Sequence, residues 1–135
     1  MKILFLCVAN SSRSQMAEGL ARSFLGKGAL IQSAGSNPTQ VNPYAVKAMK
    51  EVGIEMVSHR AKSVDEIQPE SVDLVITLCA EEVCPAGFAD KPRLHWGLPD
   101  PAAVEGSETE KLAAFRQVRD QIRKKLEEFK LSKVD

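Results

Sequence analysis

Residues 2–28 read KILFLCVANSSRSQMAEGLARSFLGKG, and the change of pattern inside this stretch decides the fold. Residues 2–8 are an almost unbroken apolar run, the mark of a strand buried on both faces. From Ser14 to Lys27 the period changes: Met16, Leu20 and Phe24 recur every four positions, with Ala17, Ala21 and Leu25 beside them. That is one apolar face of a helix, halted near Gly26 and Gly28. Strand and helix are joined by Cys7, Val8, Ala9, Asn10, Ser11, Ser12, Arg13 and Ser14. A loop in this place points successive backbone N–H groups at one spot, and the positive end of the helix adds to them. Arg13 supplies a planar fork suited to a tetrahedral oxyanion. Cys7 sits where these fields converge, so its pKa should fall and the thiolate should dominate near neutrality. Asn10, Ser11 and Ser12 tolerate the tight turns that such a loop needs, and Ser14 can donate its hydroxyl to the thiolate or cap the helix. A cysteine six positions before an arginine is weak by itself, because a buried strand cysteine beside an unrelated arginine looks the same. The strand–loop–helix setting makes the signal strong.

Outward from this stretch, residues 29–33 read as a second short strand closed by Ala34-Gly35. Asn42-Pro43 opens a second helix with an N-cap and a first-turn proline, and Gly53 ends it. Val46, Met49, Lys50 and Val52 line that helix, and residues 58–70 are polar loop with a short helical turn. Val72 to Leu78 is a third buried strand, and Arg93 to Trp96 a short fourth. Ser107, Glu108, Thr109 and Glu110 form a capping box before a long amphipathic helix carrying Leu112, Phe115, Val118, Ile122, Leu126 and Phe129. Its charged side (Arg119, Arg123, Lys124, Lys125, Glu127, Glu128) reads as a solvated face. Strands alternating with helices predict an α/β fold with a parallel, doubly wound sheet. Ligands of such sheets bind beyond the carboxyl ends of the strands, where Cys7, Cys79 and Asp100 should all lie. The proline-rich piece 85–101 reads as a functional loop region.

The chain has 135 residues, 44% of them hydrophobic and 27% charged, enough for one globular domain with its own core. Eighteen basic and 18 acidic side chains give zero net charge, which argues against a nucleic-acid partner. No apolar run approaches the length of a membrane span. The first apolar stretch is at the short end for a secretory signal and lacks a small-x-small cleavage site, so the expected location is the cytoplasm. The sequon at Asn10-Ser11-Ser12 then carries no glycan. Three cysteines are an odd number, which leaves metal or redox chemistry in place of a structural disulfide framework.

Cys7 with Arg13 opening the chain, followed by a helix and a distal Asp100-Pro101, resembles the low-molecular-weight protein tyrosine phosphatase fold. The branch it resembles more closely is the thioredoxin-coupled arsenate reductases. The stretches that carry this likeness are Ser12 to Gly19, Ser33-Ala34-Gly35, Asn42-Pro43, Val75 to Cys79, His95-Trp96-Gly97 and Asp100-Pro101-Ala102. The resemblance covers essentially the whole chain. It implies one domain over residues 1–135, a three-layer sandwich with a four-stranded parallel sheet flanked by helices.

The resemblance also implies a reaction. Cys7 thiolate attacks arsenate held by the loop amides and Arg13, and Asp100 is the general acid. Cys79 and then Cys84 take over the disulfide, and thioredoxin reduces it. Phosphate or sulfate would bind as analogues, and no organic cofactor is needed. A monovalent cation such as potassium is implied near Asn10, Glu18, Ser33 and Asp65, although Glu18 otherwise reads as a plain helix-surface carboxylate. His59 and His95 read as structural or surface residues. If residues 80–84 were helical, the Cα atoms of Cys79 and Cys84 would lie roughly 8–9 Å apart. A disulfide needs less than about 7 Å, so its formation predicts a redox-dependent switch in residues 79–92.

Other classes stay open at this point. A phosphatase acting on aryl phosphates or phosphotyrosine needs only Cys7, but Ala102-Ala103 follow Asp100-Pro101, leaving little aromatic wall for an aryl group. A redox sensor would oxidise once and stop. A zinc site from Cys7, Cys79, Cys84 and His95 would leave the Cys7–Arg13 loop unexplained.

Overall fold

The structure, a computed structural model, describes residues 1–79 and 86–132. Four parallel strands form one sheet: β1 (Lys2–Cys7), β2 (Leu30–Gly35), β3 (Leu74–Thr77) and β4 (Arg93–His95), in the order β2-β1-β3-β4. The helices are α1 (Arg13–Leu25), α2 (Pro43–Lys50) and α3 (Glu108–Ser132). The chain leaves β1 towards β2 on one side and returns to β3 on the other, so the strand order reverses beside β1. A crevice opens at that point at the carboxyl ends. The register pairs Cys7 with Gly35 and Leu6 with Thr77, which delivers Cys7, Gly35 and Cys79 to the same edge.

Both faces of the sheet are covered, which is why β1 and β3 carry continuous apolar runs. Ile3, Phe5 and Ile76 pack with Met16, Leu20, Met49, Phe115 and Ile122 under the three helices. Leu4, Leu6 and Val75 pack on the other side with Val64, Ile67, Val72 and Phe88. The three expected layers are present. Among the described residues the second outer layer consists of 3-10 turns at Val64–Glu66, Pro69–Ser71 and Ala86–Phe88 rather than full helices. No helix among the described residues is long and apolar enough to cross a membrane.

Two sequence expectations need correcting. The buried residues of α2 are Ala45, Ala48 and Met49, with Val46 only partly buried. Small alanines let α2 approach α3 closely, and period-counting on the larger side chains missed them. Arg119 does not belong to the solvated side of α3. It is buried, and its guanidinium donates to the Ala48 carbonyl at 2.8 Å, to Glu51 at 3.0 Å and to Asp120 at 2.9 Å. It ties the last turn of α2 to α3. The expected caps are in place: Asn42 Oδ1 accepts from the Tyr44 amide at 2.8 Å, and Ser107 Oγ accepts from the Glu110 amide at 3.2 Å.

Candidate active site

The loop between β1 and α1 is built as a cradle whose carbonyls are held on its outer side. The segment after β2 braces it: amides of Asn37, Thr39 and Asn42 donate to the carbonyls of Val8, Ala9 and Ser11 at 2.9, 3.0 and 2.9 Å. Asn10 adopts a left-handed conformation, φ 50°, which asparagine tolerates better than most residues. Its side chain is fully buried and tied on both ends. Nδ2 donates to Ser14 Oγ at 2.7 Å, while Oδ1 accepts from Gln15 Nε2 and from the Lys62 amide, both at 3.0 Å. Gln15 also reaches the Asn10 carbonyl at 3.1 Å and the His59 ring at 2.9 Å. Gly35 lies directly under the loop. A Cβ there would run into the Val8 carbonyl and would come within 3.0 Å of the Cys7 carbonyl and 2.9 Å of the Asn10 nitrogen.

Two features mark the concave side as an anion site. No side chain caps α1: Ser12 sits at the N-cap position without bonding back to the helix, so the first-turn amides stay available. Ser14, expected to cap the helix or donate to the thiolate, lies inside α1 and accepts from Asn10 Nδ2 at its Oγ. Arg13 is buried and donates from Nη1 to the Leu98 carbonyl at 2.9 Å, yet its Nε is buried without a partner. A buried donor of a charged group left unpaired is strongly unfavourable, and an oxyanion in the cradle would satisfy it. The Arg13–Leu98 bond also anchors the loop that carries Asp100. Asp100 is exposed, and its carboxylate accepts from the Ala102 amide at 2.9 Å, which shapes the turn at Pro101–Ala103.

The second thiol is in contact with the first. Cys79 Sγ donates to Cys7 Sγ at 3.1 Å and accepts from the Val8 amide at 3.1 Å. This hydrogen bond is the largest influence bringing the Cys7 pKa down to about 6; burial opposes it, while the Arg13 charge and the Val8 and Ala9 amides add to it. The Cys79 thiol is pushed far up, chiefly because it donates to Cys7, with burial and the Cys7 charge acting the same way. The pair is a thiolate and a thiol, not two equivalent sulfurs.

Cys84, with the rest of residues 80–85 in the expected switch over residues 79–92, lies outside the described residues. Of the four positions suggested for a cation, Glu18 and Ser33 are bonded to each other at 2.6 Å, and Asn10 is held by Lys62. Asp65 is exposed in the turn at Val64–Glu66 and makes no side-chain bond to the other three. His59 is buried against Gln15 and Glu18, while His95 is exposed and pairs with Thr77 at 2.7 Å. The sequence reading did not anticipate Gln15, Gly35, Lys62 or the carbonyl of Leu98. Gly35 had a signal, as a glycine closing a strand that pairs with the Cys7 strand. Lys62 and the Leu98 carbonyl act on partners remote in sequence, and Gln15 joins the nearby Asn10 to the distant His59 and Arg60, which no local pattern shows.

A glycine-floored, amide-lined loop with a buried arginine and a low-pKa cysteine defines a thiolate enzyme of oxyanions. The family model "Low molecular weight phosphotyrosine protein phosphatase" matches residues 2–135, and the chain belongs to that family. Within it, the chain is 49% identical over 129 residues to an arsenate reductase of Halalkalibacterium halodurans, covering 94% of this chain and 93% of the relative. A solved arsenate reductase in the phosphate-binding state superposes with a TM-score of 0.85 at 31% identity, over 99% of this chain and 98% of that one. A thioredoxin-dependent arsenate reductase of Corynebacterium glutamicum superposes with a TM-score of 0.70 at 26% identity, over 98% of this chain and 63% of that one.

Proposed function

We propose that this protein reduces arsenate to arsenite in arsenic detoxification, through a relay of Cys7, Cys79 and Cys84 that thioredoxin recharges. The observation that carries this reading is the 3.1 Å contact between two sulfurs of opposite protonation inside an oxyanion cradle. A phosphate-ester hydrolase has no task for the second thiol, whereas a two-electron reduction requires one. Similarity to named arsenate reductases supports the substrate. The thioredoxin-dependent relative supports the reductant.

Cys7 thiolate attacks arsenic, an S–As bond forms, and an oxygen leaves as water after taking protons, one of them from Asp100. The loop amides and Arg13 hold the charge that develops on the remaining oxygens. Cys79, losing its proton as it attacks Cys7 sulfur, forms the S–S bond. The S–As bond breaks with its electron pair going to arsenic, and arsenite departs. Cys84 then attacks Cys79 and releases Cys7 as thiolate. The dithiol of thioredoxin reduces the Cys79–Cys84 disulfide by two exchanges. Thiols used in this way belong in a reducing compartment, which is the argument for the cytoplasm.

The test is oxidation of NADPH in the presence of arsenate, thioredoxin and thioredoxin reductase, with C84S run alongside. Sustained arsenate-dependent turnover that C84S lacks is the expected result. No turnover, with aryl phosphate hydrolysis equal in both proteins, would sink the reading. A weak phosphatase activity is the second reading. A shallow cavity of about 210 Å³ bounded by Tyr44, Pro101, Ala102 and Phe115 adjoins the Asp100 turn, and the Tyr44 and Phe115 rings stack there at 5.6 Å. Of these two rings only Tyr44 of α2 is partly exposed, since Phe115 is 1% exposed, so Tyr44 is the aromatic group there within reach of an aryl substrate.

A further inference from the structure

Glu18 is a buried carboxylate next to the cradle, with 4% of its side chain exposed. Such a charge is tolerated only where its oxygens are paired. Oε1 accepts from Ser33 Oγ at 2.6 Å and faces Lys62 Nζ at 3.6 Å. Oε2 faces Arg22 Nη2 at 3.1 Å and His59 Nδ1 at 3.7 Å. His59 Nδ1 is paired more closely with Gln15 Oε1, at 2.9 Å, and Arg22 is 52% exposed. The enclosed cation is Lys62, with 17% of its side chain exposed and Nζ also 3.4 Å from the Arg60 carbonyl. The same residue holds the cradle through its backbone. Its amide donates to Asn10 Oδ1 at 3.0 Å, and its carbonyl accepts from the Gly35 amide at 2.9 Å.

Carboxylate and carbonyl oxygens of this kind suit a hard monovalent cation. The family resemblance implies such an ion here, but the residues present do not fit an added one. Asp65 stands away on the surface, and an ammonium already faces the oxygens of Glu18 and Arg60. We propose that Lys62 is an internal cation. Its ammonium takes the place of a metal ion beside Glu18, and its own amide carries that anchorage to Asn10, so the cradle stays formed without added potassium. Lys62 is a positioning residue: it acts on the anion through Asn10.

This inference rests on the cradle as an oxyanion site, but not on the reduction, so inorganic phosphate is the probe. Phosphate affinity by calorimetry and melting temperature are measured in potassium chloride and in tetramethylammonium chloride at equal ionic strength. The unmodified protein should give the same values in both salts. K62A in tetramethylammonium should bind phosphate about tenfold more weakly and melt lower, by analogy with outer-sphere partners at metal sites. Potassium should restore both, because the vacated oxygens accept it. K62M, whose apolar stem fills the space, should stay weak in both salts, and K62R should remain indifferent to salt. Potassium dependence in the unmodified protein would overturn the inference. So would K62A indifferent to potassium, or K62M behaving like the unmodified protein. If the unmodified protein bound no phosphate in either salt, the cradle reading would fall and this one with it. Normal phosphate binding without arsenate turnover would remove the reductase reading alone.

Discussion

Another cysteine donates to the Cys7 sulfur and, more than any other neighbour, favours its thiolate. This gives a measurable consequence at the level of one side chain. The Cys7 pKa of about 6 means that the thiolate predominates above that pH and is lost as pH falls through it. The rate of Cys7 alkylation by iodoacetamide should therefore rise with a midpoint near pH 6. C79A removes the donor, and the midpoint should move up by a unit or more, on the order of what one lost charge-assisted hydrogen bond does. C79S keeps a donor and should shift it less. Equal midpoints in C79A and the unmodified protein would show that Arg13 and the amides suffice. Cys7 and Arg13 were legible because their types and spacing carry the chemistry in themselves. The donor–acceptor order of the two sulfurs was not, because it depends on β1 and β3 being neighbours.

At the level of elements, the cradle is a β–loop–α unit clamped by a second loop and floored by a glycine. Two glycines give contrasting predictions. At Gly35 an added methyl meets the carbonyls of Val8 and Cys7 and the amide of Asn10, all backbone atoms of the bonded loop. G35A should destabilise by about 2 kcal/mol or more and weaken phosphate binding as well. At Gly19 the nearest obstruction is the terminal methyl of Met49, 2.8 Å away at the end of a flexible chain. G19A should cost far less, since Met49 can swing aside and alanine favours a helix by about 1 kcal/mol. Urea titration of both variants decides it; comparable losses would mean that the loop over Gly35 gives way easily. The element order was readable because periodicity changes sharply at each boundary. The clamp by residues 36–42 was not, since its bonds are backbone N–H to C=O and any sequence of similar length could make them.

At the level of the whole molecule, the Cys7–Cys79 disulfide of the proposed relay would require almost no rearrangement. Cys7 ends β1 and Cys79 follows β3, adjacent central strands, and their sulfurs need only close from 3.1 Å to about 2.05 Å. C84S treated with arsenate should thus stop after one turnover. It should release one arsenite per chain and lose both remaining thiols to a Cys7–Cys79 bridge, while the unmodified protein ends with one free thiol of its three. Thiol titration and mass spectrometry without reductant check this; a C84S chain that keeps both thiols would contradict it. The nearness of the two sulfurs also bears on discrimination. A ring of amides and a guanidinium senses charge and tetrahedral shape, and phosphate has both as fully as arsenate does. Selectivity therefore has to arise after binding. In the proposed relay, Cys79 can displace the central atom only if that atom accepts an electron pair, which arsenic does and phosphorus does not. Under that relay, phosphate would be a visitor that slows turnover and leaves unchanged. On the proposed relay, fidelity would be set by how promptly the second sulfur moves in, not by how tightly the first site holds its guest.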